Sequence, residues 1–296
     1  AVGISIWLLV HELRGISFDE LGESLEAINL HCWLLAGAAT LAAYAALAGY
    51  DHIALMHLGR KVSWLFVTLA SFTAYALSHN IGASVFSGAV VRYRAYSSRG
   101  LSPGEIGVLV AFCSFTFALG TLMLTGIVLI LEPELTERFV DVLPVSATSA
   151  TGIALLAIVG LYVLGSALKL RPLKLGKIEI HYPNLSIVWR QLLIAPLELI
   201  GAAAIIYFAL PEAGNPGYIV VLGIFLISFS AALISHAPGG LGVLELVFIT
   251  GLSEMDPADV LAALLVFRLL YLIIPFVMAL FVVLGFERSQ LVQHQE

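Results

Sequence analysis

The feature that most limits the fold is the series of long apolar runs that follow one another along the chain. Each run approaches the roughly 20 residues that an α-helix needs to cross a bilayer. The runs bring the hydrophobic share to 60% and leave 11% charged residues, against about 25% in an ordinary soluble domain. This pattern predicts an all-α polytopic membrane protein and excludes a soluble enzyme, a nucleic-acid-binding domain and a disordered chain. A transmembrane barrel is excluded because its strands would alternate apolar and polar residues.

The runs predict a single transmembrane domain over residues 1–296, with about eight transmembrane helices. The first run ends near Val10 and looks like the end of a truncated span. The other spans are expected at about residues 30–50, 62–77, 103–131, 146–168, 192–210, 218–234 and 257–286. Polar and apolar residues alternate over residues 177–182, which favours a small extramembrane β segment.

Two shorter segments, at residues 78–88 and 235–252, are interrupted by glycines and are predicted to be re-entrant or broken helices. Each begins with a Ser-His pair and is followed by a helix-start signature, Ser102-Pro103-Gly104-Glu105 or Asp256-Pro257-Ala258-Asp259. The matching order predicts a pseudo-repeat with halves at about residues 30–131 and 187–286. Paired broken helices of this kind indicate a transport site near the bilayer midplane.

Ionisable side chains inside apolar segments are costly unless they are paired or hydrated, so they are the first functional candidates. They are Asp51, His79, Arg92, Glu198, His236, Glu245 and Arg268. The adjoining residues Asn80, Gly239, Gly240 and Tyr271 complete the predicted binding set.

This set contains both charge signs. The planar fork of arginine suits a phosphate, and a carboxylate suits an ammonium group. Backbone N–H groups around Gly239 and Gly240 could also bind a phosphate, because a helix follows them. An amphipathic lipid headgroup that carries phosphate and amine would use both kinds of site.

Structural interpretations of the same residues stay open. Glu198 and Arg268 could form only a buried ion pair, and Asp51 could face water at the end of its span. His79 and His236 could be hydrogen-bonded packing histidines. Gln191, seven residues before Glu198 on the same helix face, is a weaker candidate.

The sequence predicts no cofactor, no metal site and no catalytic residue. Cys32 and Cys113 lie in apolar segments and are interpreted as packing residues. No Cys/His spacing fits zinc, and no P-loop occurs. The membrane orientation stays open, because basic residues fall in loops on both sides if every predicted span crosses the membrane.

Several of these stretches together resemble one family. They are Asn80-Ile81-Gly82-Ala83, Val91-Arg92-Tyr93-Arg94, the segment 115–120, the segment 236–245 and Phe267-Arg268-Leu269-Leu270-Tyr271 before Pro275. They resemble the membrane domain of multiple peptide resistance factor, the bacterial lysyl-phosphatidylglycerol synthase and flippase, and its stand-alone membrane relatives. The family's functional positions match Asp51, Arg92, Glu198, Glu245 and Arg268. Glu245 stands where the family pattern allows aspartate, which keeps the charge.

The resemblance implies transbilayer movement of an aminoacylated phospholipid such as lysyl-phosphatidylglycerol in the bacterial cytoplasmic membrane, which contributes to resistance to cationic antimicrobial peptides. The implied partners are anionic or aminoacylated phosphatidylglycerol, an acyltransferase domain that is C-terminal or separate, and a further copy of the chain. Phosphatidylglycerol lysyltransferase activity would belong to a longer parent protein, and no nucleic acid is expected to bind here. The alternatives are movement of another lipid, a structural or assembly role, and an intramembrane lipid-modifying enzyme.

Overall fold

A computed structural model describes residues 18–81, 84–139, 148–169, 173–175, 178–180, 183–235 and 238–293 of the chain. This part is a bundle of α-helices. They are α1 (Phe18–Ala27), α2 (Leu30–His57), α3 (Trp64–Ile81), α4 (Ser84–Ser97), α5 (Pro103–Leu131), α6 (Ser149–Ala167), α7 (Leu185–Ala209), α8 (Tyr218–Ser235), α9 (Val243–Gly251), α10 (Pro257–Phe267) and α11 (Ile274–Gln293). Two 3₁₀ helices cover Pro133–Phe139 and Pro238–Gly240, and a π-helix over Arg268–Ile273 joins α10 to α11.

Six helical segments of the described chain are long and apolar enough to cross a membrane. They are α2, α5, α6, α7, α8 and the continuous run Pro257–Phe286. This confirms the all-α polytopic class. The predicted span that ends near Val10 lies outside the described residues.

Two predicted helix starts and the predicted β segment are present in the structure. Ser102 caps α5 through a capping box, in which the Glu105 N–H donates to Ser102 Oγ at 3.3 Å and the Ser102 N–H donates to Glu105 Oε2 at 2.8 Å. Asp256 caps α10 by accepting from the Ala258 N–H at 2.8 Å. The predicted β segment is present as two short antiparallel strands, β1 (Leu173–Leu175) and β2 (Ile178–Ile180).

The helices α3 and α4 pack antiparallel and form the first hairpin, whose tip lies inside the bundle. The Arg99 guanidinium, near the end of α4, lies 4.2 Å from the ring centroid of Phe66, near the start of α3. Arg60, just before α3, pairs with Glu105, just after α4, at 2.6 Å. The chain therefore enters and leaves at the same end of the bundle, so residues 62–77, predicted as a separate crossing, are one arm of a re-entrant hairpin.

The helices α8 and α9 form the second hairpin, which enters from the opposite end. The Arg138 guanidinium donates to the Gly251 carbonyl at 2.9 Å and pairs with Glu254 at 2.7 Å, both at the base of this hairpin. Between Arg138 and Glu105 runs α5, which has 29 residues and a length of about 43 Å. The two hairpins thus approach one another from opposite ends of the bundle.

The two ends carry opposite charges. The basic end, where the first hairpin enters, holds Arg60, Lys61, Arg94, Arg99, Lys169 and Arg190. The acidic end, where the second enters, holds Glu132, Glu134, Glu137, Arg138, Glu212, Glu254, Asp256 and Asp259. The sequence predicted basic residues on both sides, but those of the described chain lie mainly at one end, with Arg138 at the other. The hairpin places Arg60 and Lys61 at the same end as Arg99, and the positive-inside rule predicts that this end is cytoplasmic.

Candidate functional site

The first buried ion pair joins Asp51 of α2 to Arg92 of α4. Arg92 Nη2 donates to Oδ1 at 2.8 Å, and Nε lies 3.2 Å and 3.1 Å from the two carboxylate oxygens. The Tyr96 hydroxyl donates to Oδ2 at 2.8 Å, and the Cys113 thiol lies 3.4 Å from Oδ1. The guanidinium also covers the Tyr75 ring, 4.4 Å from its centroid. Asp51 has an exposure of 0%, so the alternative that it faces water at the end of its span is wrong.

The local sequence explains why Arg92 reaches this position. Arg92 and Tyr96 are four residues apart and lie on one face of α4, so both side chains meet the same carboxylate. Gly88 lies one turn earlier on that face. A Cβ atom at Gly88 would come within 2.6 Å of Ser78 Oγ and 3.1 Å of Arg92 Nη1. The absent side chain therefore lets the two arms of the first hairpin approach closely around the guanidinium.

The second buried ion pair joins Glu245 of α9 to Arg268, the first residue of the π-helix. Arg268 Nε donates to Oε1 at 2.9 Å and Nη2 donates to the same oxygen at 2.5 Å. Nη1 donates to the Gly239 carbonyl at 2.9 Å, and Glu245 Oε2 accepts from the Gly242 N–H at 2.8 Å. Gly239, Gly240 and Gly242 have positive φ angles of 59°, 66° and 78°, which glycine adopts without strain. The pair thus closes the tip of the second hairpin.

The π-helix ends where a proline interrupts the backbone hydrogen bonds. Pro275 has no N–H to donate to the preceding turn, and carbonyls of that turn bond to side chains. The Tyr44 hydroxyl of α2 donates to the Tyr271 carbonyl at 2.9 Å. The Asn80 amide, at the end of α3, donates to the Leu272 carbonyl at 3.1 Å. These hydrogen bonds connect the π-helix, which begins at Arg268, to α2 and to the tip of the first hairpin.

Glu198 lies near the middle of α7 and is 1% exposed. The Tyr271 hydroxyl donates to Oε1 at 2.5 Å, while Oε2 has no hydrogen-bond partner within the described part of the chain. The interpretation that Glu198 pairs with Arg268 is wrong, because the Arg268 guanidinium is bonded to Glu245 and the Gly239 carbonyl.

His79 lies at the tip of the first hairpin, where its ring stacks on Tyr271 with a centroid distance of 5.3 Å. Its Nδ1 is buried and lacks a hydrogen-bond partner within the described residues. The neighbouring Ser78 hydroxyl donates to the Ala74 carbonyl at 2.5 Å and not to the imidazole. His236 lies outside the residues that the structure describes.

The structure thus gathers most of the predicted set into one interior region. His79 stacks on Tyr271, which donates to Glu198, and Asn80 donates to the Leu272 carbonyl of the same π-helix. Arg268 begins that helix. The Asp51–Arg92 pair reaches the same region through Tyr75, whose ring lies 5.9 Å from that of His79. No cluster of three His, Cys, Asp or Glu side chains suitable for a metal occurs among the described residues.

Sequence reasoning missed the tyrosines that surround these charges. Tyr96 could have been found from its spacing of four residues after Arg92, whereas Tyr44 and Tyr75 give no signal in the sequence. Gln191, the weaker candidate, is fully buried and satisfied. It accepts from the Tyr162 hydroxyl at 2.6 Å and donates to Thr116 Oγ1 at 2.8 Å, which favours a structural role.

Comparison with known proteins agrees with this architecture. The chain is 33% identical to an uncharacterized protein of Synechocystis over 92% of its own length and 84% of that protein. It is 32% identical to the inner membrane protein YbhN of Escherichia coli over 93% of its own length and 86% of that protein. It is 25% identical to phosphatidylglycerol lysyltransferase of Staphylococcus haemolyticus, of which it covers 31%. The profile of the family described as lysylphosphatidylglycerol synthase TM region matches residues 1–279. The chain is therefore a multi-pass membrane protein that belongs to the lysylphosphatidylglycerol synthase TM region family.

Proposed function

We propose that the protein moves a phospholipid between the leaflets of a bacterial inner membrane, with lysyl-phosphatidylglycerol as the representative substrate. Moving this lipid outward would contribute to resistance to cationic antimicrobial peptides. The observation that carries the proposal is the placement of the two ion pairs. Each pair has one partner on a helical hairpin, Arg92 on the first and Glu245 on the second, and the hairpins enter the bundle from opposite ends and meet at the π-helix.

Exchange of ionic partners gives such a site a way to bind a lipid headgroup. A buried arginine that loses its carboxylate leaves two uncompensated charges, which is strongly unfavourable. A headgroup that carries both a phosphate and an ammonium group removes this cost, because the phosphate binds the arginine and the ammonium group binds the released carboxylate. The Arg92 and Arg268 guanidinium groups suit the phosphate through their planar forks.

The arrangement of the hairpins also suits alternating exposure. Broken helices in two halves of opposite orientation are a recurrent architecture for binding near the midplane. Here the expected repeat, with halves at about 30–131 and 187–286, would place one hairpin in each half. Opening the first hairpin would expose the site to the basic end, and opening the second would expose it to the acidic end.

The experiment is a leaflet assay in proteoliposomes that contain lysyl-phosphatidylglycerol. A membrane-impermeant amine reagent reports how much of this lipid lies in the outer leaflet over time. We expect Arg268→Ala and Glu198→Ala to slow transbilayer movement at least about tenfold, which corresponds to about 1.4 kcal/mol. Arg138→Ala is the matched control, since Arg138 also pairs with a glutamate but at the bundle surface.

Two outcomes would contradict parts of the proposal. Wild-type rates in both Arg268→Ala and Glu198→Ala would remove the assigned site. Equal rates in protein-containing and protein-free vesicles would remove lipid movement itself. Vesicles with phosphatidylethanolamine in place of the lysyl lipid address the substrate, since this lipid has one phosphate but only one amine, and its movement would indicate a protein that moves another lipid.

A further inference from the structure

Glu198 differs from the other two carboxylates of the site in its partners. Asp51 and Glu245 each contact an arginine, whereas Glu198 makes no ion pair within the described part of the chain. One of its oxygens accepts from the Tyr271 hydroxyl, and the other is buried and has no partner among the residues that the structure describes.

Among the described residues, the groups around Glu198 do not supply a positive charge. The titratable side chains that face it are Tyr44 and Tyr50 of α2 and Tyr271 of the π-helix. On the other helices that pack against α7, Cys113 contacts Asp51, Tyr162 bonds to Gln191, Tyr218 bonds to the Ile200 carbonyl, and Glu105 pairs with Arg60. Asp259 lies in the first turn of α10 and is itself acidic.

An anionic carboxylate in this position would be a buried charge without a counter-ion. The free-energy cost of burying such a charge is much larger than the stabilisation from one hydrogen bond with a hydroxyl. The site therefore needs one added positive charge. A proton is the cation that the geometry suits, because it needs a single oxygen and Oε2 has no hydrogen-bond partner in the described part of the chain.

We infer that Glu198 binds a proton in this closed arrangement and exchanges that proton for an ammonium group of the lipid headgroup. The exchange rests on the proposed function. It is balanced, because the carboxylic acid and the ammonium ion give a carboxylate–ammonium pair and one proton, which leaves to water. No covalent bond of the lipid changes.

The exchange distinguishes headgroups by their charge. A lysyl headgroup has one phosphate and two ammonium groups. Exchange at one arginine–carboxylate pair uses the phosphate and one ammonium group, and Glu198 accepts the second. An alanyl headgroup has only one ammonium group, so it satisfies the ion pair and leaves the proton on Glu198.

The first test needs no lipid movement. Infrared difference spectra of the full chain in nanodiscs, recorded between acidic and alkaline pH, should contain the carbonyl band of a buried protonated carboxylic acid. We expect the band to be absent in Glu198→Gln and retained in Glu134→Gln, an exposed glutamate in the 3₁₀ helix near the acidic end. Tyr271→Phe removes the hydroxyl donor and should shift the band without abolishing it. A band that persists unchanged in Glu198→Gln would overturn the proton site.

The second test measures proton release when lipid binds to the chain in weakly buffered nanodiscs. We expect about one proton per bound lysyl-phosphatidylglycerol, none with alanyl-phosphatidylglycerol, and none with either lipid in Glu198→Gln. Equal release by both lipids would overturn the exchange. If the infrared assignment holds but lysyl-phosphatidylglycerol does not bind, the proton site stands while the exchange and the proposed substrate both fail.

Discussion

Each hairpin contributes one residue to an arginine–carboxylate ion pair, and the two pairs have different surroundings. In the first, Asp51 contacts Arg92, Tyr96 and Cys113, and the two charged side chains are 0% and 5% exposed. In the second, Glu245 and Arg268 are 9% and 11% exposed, and their further partners are backbone groups of the hairpin tip. We interpret the first pair as an anchor between helices, which is the more costly of the two to open, and the second as a closure that opens more readily when its tip moves.

The largest expected effect concerns the ends from which the hairpins enter. In a chain with Cys32→Ser, Lys61→Cys marks the basic end and Glu134→Cys marks the acidic end. Because the positive-inside rule places the basic end in the cytoplasm, a membrane-impermeant maleimide should label only Glu134→Cys in bacterial spheroplasts. Lys61→Cys should react only after lysis. Labelling of both variants in intact spheroplasts would show that one arm of the first hairpin crosses the membrane as a separate span.

The next effect compares the stability that each ion pair contributes. Arg92→Ala leaves Asp51 as a sealed, unpaired charge, and we expect a loss of about 3–5 kcal/mol in the free energy of unfolding. Arg268→Ala should lose less, about 1–3 kcal/mol, because Glu245 keeps its bond to the Gly242 N–H and lies nearer to water. Denaturant unfolding in mixed micelles measures both.

A neutral double variant separates the charge effect from lost packing. Asp51→Asn with Arg92→Gln removes both charges but keeps a polar side chain at each position, so it should recover much of the stability that Arg92→Ala loses. Similar losses in the single and double variants would contradict the anchor interpretation, since the cost would then come from packing.

A smaller effect compares a glycine from each hairpin. Gly88→Ala introduces a Cβ against Ser78 Oγ and Arg92 Nη1, and such overpacking should cost about 1–3 kcal/mol. Gly239→Ala meets only ordinary contacts but keeps a positive φ angle, which should cost about 1–2 kcal/mol. Gly107→Ala, with open space around it, should gain up to about 1 kcal/mol. A larger loss in Gly239→Ala than in Gly88→Ala would mean that the second hairpin is the more rigid.

The smallest effect separates buried from surface ion pairs. The hydrogen bond from Arg138 lowers the pKa of Glu254 below its usual value of 4.5. A carboxylate whose pKa is lowered by folding stabilises the folded state at pH values above its ordinary pKa. This stabilisation is lost as the pH falls through the lowered pKa. Because the Glu254 side chain is 49% exposed, we expect less than about 1 kcal/mol. The free energy of unfolding, measured at pH values below about 5, should fall with pH in the wild type. The part of this decrease that comes from Glu254 should be absent in Glu254→Gln.

Locally encoded features could be predicted from the sequence. The caps at Ser102 and Asp256, the β segment near residue 178 and the costly charges at Arg92 and Glu198 each depend on neighbouring residues or on hydropathy. Because these local signals do not show where the chain turns back in space, one arm of a re-entrant hairpin could not be distinguished from a crossing helix. Residues 62–77 have the length and composition of either, and that error in the number of crossings left the orientation open.

The ionic partners could not be predicted, because they depend on how helices are arranged in space. Arg268 could have reached Glu198 on α7 or Glu245 on α9, and both are glutamates at similar depth. The π-helix and the tip of the second hairpin bring Glu245 to the guanidinium and leave Glu198 with Tyr271. Nothing in the spacing of these residues along the chain indicates that choice.

The order of the partners along the chain bears on how the ribosome and translocon build the bundle. In both pairs the acid is synthesised before the arginine, by 41 residues for Asp51 and Arg92 and by 23 residues for Glu245 and Arg268. An arginine that leaves the translocon alone would meet hydrocarbon at a cost of several kcal/mol. With its carboxylate already inserted, each arginine has a counter-ion when it arrives. Early pairing during synthesis would therefore lower the cost of inserting each arginine into the membrane.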